Sequence, residues 1–180
     1  MFWKKKKMPF PEDQMHTLTQ HAFVAATAEQ VADVLRTLDE LSRDDGADYR
    51  ISSSCEKAIS DAKDFQKQCG DFDEVLQSKF DTRELTYIRF RTVVDHAKEV
   101  FDRNLDKLPI VIKSAIRTDG ARERKLVETL VKENESMLKA TAELTAELSL
   151  IDTTGSSAKA ETTLERIEEL RRRAHLYAAN

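Results

Sequence analysis

A run of residues spaced alternately by three and four positions constrains this chain more than any other feature. It extends from Val127 to Ile151 and includes two polar residues, Asn134 and Thr141. This spacing is that of a heptad seam, along which one helix packs on another, and a polar member of a seam can set its register at some cost in stability. The predicted helix-pairing seam comprises Val127, Leu130, Asn134, Met137, Thr141, Leu144, Leu148 and Ile151.

The seam can pair inside one chain or between two chains, and its spacing alone leaves both open. Leu126, Val131, Leu138 and Leu150 widen the apolar stripe beyond the narrow seam of a coiled coil. A wide stripe is typical of a helix that is buried in a bundle. We therefore favour packing within one chain.

The rest of the chain shows helical spacing between glycine-marked joints. Apolar residues recur every three or four positions through 31–41, 55–65 and 85–108, and no stretch alternates as a strand does. Gly46, Gly70, Gly120 and Gly155 fall where this periodicity pauses, and glycine is favoured just past the end of a helix. We predict an all-α protein, an elongated antiparallel helical bundle with coiled-coil-like segments.

Capping patterns and one proline predict further boundaries. Ser53, Asp71 and Asp81 each have a Glu three residues later, which approximates the capping box at the start of a helix. Pro109 predicts a kink or a short break, because proline removes a helical hydrogen bond. We expect a basic and aromatic tail at 1–11 and a single bundle domain at 12–180. The sequence leaves open whether a last helix, from about residue 157, is peripheral to this bundle.

No sequence motif assembles a reaction centre. Metal sites in helical bundles use a Glu three residues before a His, and none of the four histidines has one. The four glycines are too scattered for a phosphate-binding loop. Cys55 and Cys69 lie fourteen residues apart, about 20 Å along one helix, which is too far for a disulfide. We expect reduced structural thiols, and no catalytic residue, metal or cofactor.

One aromatic and basic cluster occurs within the body of the chain. Tyr87, Arg89, Phe90 and Arg91 lie in the sequence Tyr-Ile-Arg-Phe-Arg, which makes them a candidate partner patch. Aromatic residues at helical spacing more often belong to a core, with arginines extending from its edge. We favour the core interpretation over partner binding.

The first eleven residues contain four consecutive lysines and no carboxylate. The aromatic side chains of this tail can enter a lipid headgroup region, while each lysine near an anionic surface contributes about 1 kcal/mol. A solvated tail, an import signal and a docking peptide for a partner are the alternatives. The candidate membrane- or partner-contact residues are Phe2, Trp3, Lys4, Lys5, Lys6, Lys7, Met8 and Phe10.

Charge and hydropathy restrict the partners. Beyond the tail, 33 acidic residues stand against 25 basic ones, a net charge of −8. A negative body repels the phosphate backbone, so we expect no nucleic-acid partner. No apolar run reaches the about 18 residues of a membrane span, and no secretory signal is recognisable. We expect a cytoplasmic location, with membrane association through the tail as the remaining option.

Together these features predict a non-catalytic helical scaffold or adaptor. Its expected partner is another protein or a second copy of the chain, and its tail would dock onto an anionic membrane surface or a partner. The alternative is an enzyme or ligand-binding bundle whose polar site is assembled from distant helices. For that site the sequence offers Asp95, His96 and the neighbouring arginines.

Overall fold

The computed structural model describes residues 28–150, together with Thr162, Glu165 and residues 167–169. Predictions that concern the other residues lie outside the described part of the chain. Within 28–150, all regular structure is helical, which confirms the prediction of an all-α bundle. The helices are α1 (Ala28–Ser42), α2 (Tyr49–Lys79), α3 (Leu85–Thr118) and α4 (Ala121–Ser149).

Helices α2 and α4 run parallel to each other. Near their N-terminal ends, Arg124 Nη2 of α4 lies 3.2 Å from Oδ2 of Asp48, the residue that caps α2. Further along, Lys57 Nζ of α2 lies 3.6 Å from Glu135 Oε2 of α4. Since both contacts advance in the same direction along the two helices, α2 and α4 share one orientation.

Helix α3 runs antiparallel to both. The rings of Phe65 in α2 and Phe101 in α3 stack with centroids 4.1 Å apart. Later in α2, Asp73 pairs with Arg91, which comes earlier in α3. The three long helices therefore form an up-down-up core, and α2 alone, with 31 residues, is about 46 Å long.

The short helix α1 lies over the groove between α2 and α3 and makes no contact with α4. It buries Val31, Leu38 and Leu41, the apolar positions of its predicted stripe, because these residues recur on one face of the helix. With 15 residues against 31 in α2, α1 covers about half of the groove. The first described turn of α1 lines the same cavity as Phe65 of α2.

The joints between helices have local explanations in the sequence. Asp48 Oδ1 accepts a hydrogen bond from Ile51 N at 2.9 Å and thereby caps α2. Gly46 allows a close approach, since a Cβ there would lie 2.8 Å from Ile116 Cγ2. Asp119 ends α3 in the left-handed region at φ 51°, where aspartate is better tolerated than most residues.

The break predicted at Gly70 is wrong, because α2 continues through it. Phe65 before the glycine and Phe72 after it are both buried, and a break would expose one of them. Burying one such side chain stabilises by about 2–3 kcal/mol, which outweighs the about 1 kcal/mol that an internal glycine costs. The caps predicted at Ser53 and Asp71 are wrong for the same reason, since both residues lie inside α2.

Pro109 produces no break in α3, which runs without interruption from Leu85 to Thr118. The side chains of Leu108, Pro109 and Ile112 are all buried, so packing on both sides of the proline offsets the lost hydrogen bond. The pattern at Asp81 is present in part. Asp81 N donates to Glu84 Oε1 at 2.8 Å, but the helix begins only at Leu85.

Candidate functional site

A cleft of about 320 Å³ opens between the N-terminal end of α1 and the middle of α2 and α3. We call it the α1–α3 cleft. Ala28 and Val31 of α1 border it on one side. The residues that line it from the two long helices are Ala62, Phe65, Gln66 and Cys69 of α2, and Lys98, Phe101, Asp102 and Leu105 of α3.

The two long helices contribute to the cleft with the same spacing. Each supplies a first residue and the residues three, four and seven positions later, which is one continuous face of an α-helix. The stacked rings of Phe65 and Phe101, with planes 8° apart, form the apolar floor. Short α1 leaves this face of the long helices partly open, and polar side chains reach the cleft at its edge.

Asp102 is the most perturbed carboxyl group in the cleft. Burial raises its pKa to about 6, the nearby charge of Asp106 adds to the shift, and the cation of Lys98 opposes it. Its Oδ2 atom is buried and has no hydrogen-bond partner in the part of the chain that the structure describes. A buried carboxylate oxygen without a donor costs stability, so this arrangement has to be explained.

The two thiols are free and poorly reactive. Burial raises the pKa of Cys69, in the cleft, to about 12 and that of Cys55 to about 11. Because the thiolate is the nucleophile, both groups are nearly inert at neutral pH. The α1–α3 cleft therefore offers one carboxyl group and one ammonium group for chemistry, but no activated sulfur.

A second polar cluster lies between α3 and α4, and its geometry is different. Asn104 Nδ2 donates to Asn134 Oδ1 and to Glu133 Oε2, both at 3.1 Å. Asn134 Nδ2 in turn donates to the main-chain oxygen of Phe101 at 3.3 Å. Burial raises the pKa of Glu133, against the opposing effect of the bond from Asn104. Both asparagines are buried, and they fix the position of α3 against α4.

The seam residues lie in α4 and are buried within the single chain. Asn134 and Thr141, its polar members, are 2% and 0% exposed. Ile151 lies outside the described residues. Among the residues that widen the stripe, Val131 is buried, whereas Leu126 and Leu150 are exposed. The buried seam residues are Val127, Leu130, Asn134, Met137, Thr141, Leu144 and Leu148.

The candidate partner patch is divided between the core and the surface. Phe90 is 3% exposed and its ring lies 6.2 Å from that of Phe80. Tyr87 is partly buried against the same core, while Arg89 is exposed. The aromatic residues of the patch thus contribute to packing, and partner binding through the exposed Arg89 stays a prediction.

Arg91 joins two carboxylates at the edge of the bundle. Its Nη1 donates to Asp73 Oδ1 at 2.6 Å, and its Nε donates to the two oxygens of Asp95 at 3.0 and 3.1 Å. The sequence offered Asp95, His96 and the neighbouring arginines for an assembled site, and the structure pairs Asp95 with one of these arginines.

Several predicted site residues lie outside the described part of the chain. They are the residues of the N-terminal tail and Ile151; three of the four histidines, His16, His21 and His175, also lie outside the described residues. Among the residues that are described, no group of three histidine, cysteine or acidic side chains could hold a metal ion. No helix in the described ranges is long and apolar enough to cross a membrane.

Comparisons with known proteins leave the interpretation to the structure itself. The chain matches no family model, no curated protein and no solved structure at a significant level.

Proposed function

We propose that this protein is a non-catalytic helical scaffold or adaptor whose N-terminal tail docks onto an anionic membrane surface or a protein partner. The observation that carries the proposal is a contrast within one chain. The tail holds four lysines among aromatic residues, whereas the remainder of the sequence has a net charge of −8. A basic tip on an acidic body can approach an anionic surface in one orientation only.

The packing of the body supports the same proposal. The seam of α4 is buried against α2 and α3, which gives the scaffold a rigid core formed by three long helices. Charged side chains form ion pairs between neighbouring helices, as Arg91 does with Asp73 and Lys57 does with Glu135. A rigid body of this kind can hold a docked tail at a fixed distance from whatever the other surfaces bind.

The expected strength of docking follows from the composition of the tail. Four lysines at about 1 kcal/mol each contribute roughly 4 kcal/mol near an anionic surface, before the aromatic residues add their share. One such signal gives weak and reversible attachment, and stable attachment takes a second signal or several copies. We therefore propose that the scaffold works in an assembly, with a protein partner or with further copies of itself.

Co-sedimentation with lipid vesicles tests the membrane form of the proposal. The intact chain should pellet with anionic vesicles and much less with neutral ones, and the pelleting should weaken as salt is added. Replacing Lys4, Lys5, Lys6 and Lys7 by Gln should abolish it. A matched control replaces four exposed body lysines by Gln and should pellet as the intact chain does; the residues are Lys63, Lys67, Lys113 and Lys125.

Equal pelleting of the intact chain and the tail variant would contradict membrane docking. The partner form of the proposal would then be tested by the mass of the native complex recovered from source cells, which should exceed that of the 20.6 kDa chain. A ligand-binding bundle is the second candidate function. One specific observation favours it, the carboxyl group of Asp102 beside the α1–α3 cleft.

A further inference from the structure

The α1–α3 cleft combines a cavity with a carboxyl group that lacks a donor. Asp102 lines the cleft, and its Oδ2 atom is buried without a hydrogen-bond partner among the described residues. Nearly all buried polar atoms in folded proteins have a partner, and an exception commonly marks a place where a bound group supplies one. Oδ2 itself is out of reach of the cleft, so a ligand would contact this carboxyl group through its other oxygen, and a positive charge there would offset the buried negative charge.

The charges around the cleft favour a cation. Of the charged groups on α3, Asp102 and Lys98 line the cleft, while Asp106 lies outside the lining and adds negative charge near Asp102. On α2, the facing titratable group is Cys69, whose pKa of about 12 keeps it neutral. The α1 residues that border the cleft, Ala28 and Val31, carry no charge. An anion would be repelled by the Asp102 carboxylate, whereas a cation would find in it a partner of opposite charge.

The size and the walls of the cleft restrict the body of the ligand. Its volume of about 320 Å³ lies at the lower end of the range of about 300–1,000 Å³ for pockets that bind small molecules. Phe65, Phe101, Val31 and Leu105 give it apolar walls. A single ring or a short chain fits this space, and an apolar body would displace water from these walls.

We propose that the α1–α3 cleft binds a small organic cation, a protonated amine on a short apolar body, with the ammonium group held by Asp102. The ammonium group donates a hydrogen bond to the Asp102 carboxyl group where this residue lines the cleft. Its charge also compensates the buried carboxylate, and a charge-assisted bond of this kind is stronger than a neutral one. This inference goes beyond the scaffold function and does not rest on it, because the cleft is formed by the body and not by the tail.

Three matched probes test the proposal on the full chain. Phenethylamine, phenylethanol and phenylpropanoate share a ring and a similar length but are cationic, neutral and anionic. Each probe is titrated into the protein while the amide chemical shifts are recorded. A probe that binds should move the signals of cleft residues such as Gln66 and Phe101. The amine should bind about tenfold or more tightly than the other two, which is the expected effect of one charge-assisted hydrogen bond.

Three variants distinguish the contribution of the Asp102 carboxyl group to binding from that of the cavity. Asp102→Asn should weaken amine binding by about tenfold or more. Asp106→Asn, one turn further along α3 and outside the lining, should change it by less than about twofold, because an exposed charge is screened by solvent. Ala28→Trp, at the exposed mouth of the cleft, should block all binding without entering the core.

The pH dependence gives a second readout. Amine binding by the unmodified protein should weaken as the pH falls from 8 through the pKa of Asp102, about 6, because protonation removes the charge. Asp102→Asn should show no such change. The proposal is overturned if no probe moves the cleft signals, if the acid or the alcohol binds as tightly as the amine, or if Asp102→Asn binds the amine unchanged. Helical circular dichroism of each variant confirms that it is folded.

Discussion

Asp102 and Asn104 lie two residues apart on α3, but their side chains differ in orientation and in hydrogen bonding. Asn104 is turned toward α4, where it donates two hydrogen bonds to Glu133 and Asn134. Asp102 is turned toward α2 and α1, where its Oδ2 atom has no partner within the described part of the chain. One helix therefore presents a satisfied polar side chain to one neighbour and an unsatisfied one to the other.

The difference separates a structural role from a binding role. A buried network in which each amide finds a partner fixes the register of two helices, and the seam position of Asn134 is where register is set. A buried carboxyl group without a donor contributes nothing to packing and destabilises the fold while it is ionised. We infer that the α3/α4 contact holds the bundle together and that the α1–α3 cleft is the place where the body can accept a ligand.

Phe101→Ala should have the largest effect, because it removes a large ring that is almost fully buried. Its ring stacks on Phe65 in the cleft, and its main-chain oxygen accepts from Asn134. Truncating a buried phenylalanine costs about 3–5 kcal/mol. Urea denaturation measures the loss. As a control, Phe72→Ala removes an equally buried ring but leaves the cleft walls intact, so it should lose similar stability without altering amine binding.

Asn134→Ala should destabilise the bundle by about 2 kcal/mol, since it leaves Asn104 with Glu133 as its remaining partner and opens a small cavity. The matched control is Thr141→Val. Thr141 occupies the same seam, but its buried hydroxyl oxygen has no partner among the described residues, so this change should be neutral or stabilising. If both variants lost equal stability in urea denaturation, the asparagine network would have no special role.

Asp102→Asn should stabilise the protein at pH 8 by about 1–2 kcal/mol, part of the penalty implied by its raised pKa. The native carboxyl group holds its proton up to about pH 6, whereas the unfolded one releases it near the ordinary aspartate pKa of 3.8. Stability of the unmodified protein is therefore lost as the pH rises through this window. In thermal unfolding, the melting temperature of Asp102→Asn should exceed that of the unmodified protein at pH 8, and the two should be equal by pH 4. A gain that is the same at both pH values would contradict the assignment.

Gly70→Ala should have the smallest effect and provides a baseline for the comparison. A Cβ at Gly70 would meet nothing within 4 Å, so the variant should gain about 0.5–1 kcal/mol from the lower conformational entropy of the unfolded chain. Amine binding at the neighbouring cleft should not change. Gly46→Ala, where the Cβ would lie 2.8 Å from Ile116 Cγ2, should instead lower the melting temperature.

Much of the fold could be predicted from the sequence because apolar spacing is a local property. The seam from Val127 to Leu148 coincides with the buried face of α4. The continuation of α2 through Gly70 and of α3 through Pro109 could not be predicted, because in both places tertiary burial offsets an unfavourable local residue. Leu85 and Ile88 continue the apolar spacing of α3 but are 80% and 49% exposed, since spacing does not say where a neighbouring helix ends.

The α1–α3 cleft could not be predicted, because it depends on which side of α3 the short helix α1 covers. In the sequence, Lys98 and Asp102 resemble an ordinary charged pair four residues apart on a helix surface. Cys69 belongs to another helix, and only the antiparallel packing of α2 and α3 brings it to the same cavity. The one available signal was that Asp102 directly follows Phe101 in the apolar stripe, close enough to the core to be partly buried.

The titration of the Asp102 side chain tests the central claim most directly, namely that this carboxyl group is buried without a donor while its neighbour Asn104 is satisfied. Carboxyl carbon chemical shifts measured against pH, with the signal assigned by its absence in Asp102→Asn, give the pKa of this group alone. The structure predicts a pKa of about 6. A pKa near 3.8, the ordinary value for aspartate, would contradict the account, because it would mean that the carboxylate is solvated or already has a partner.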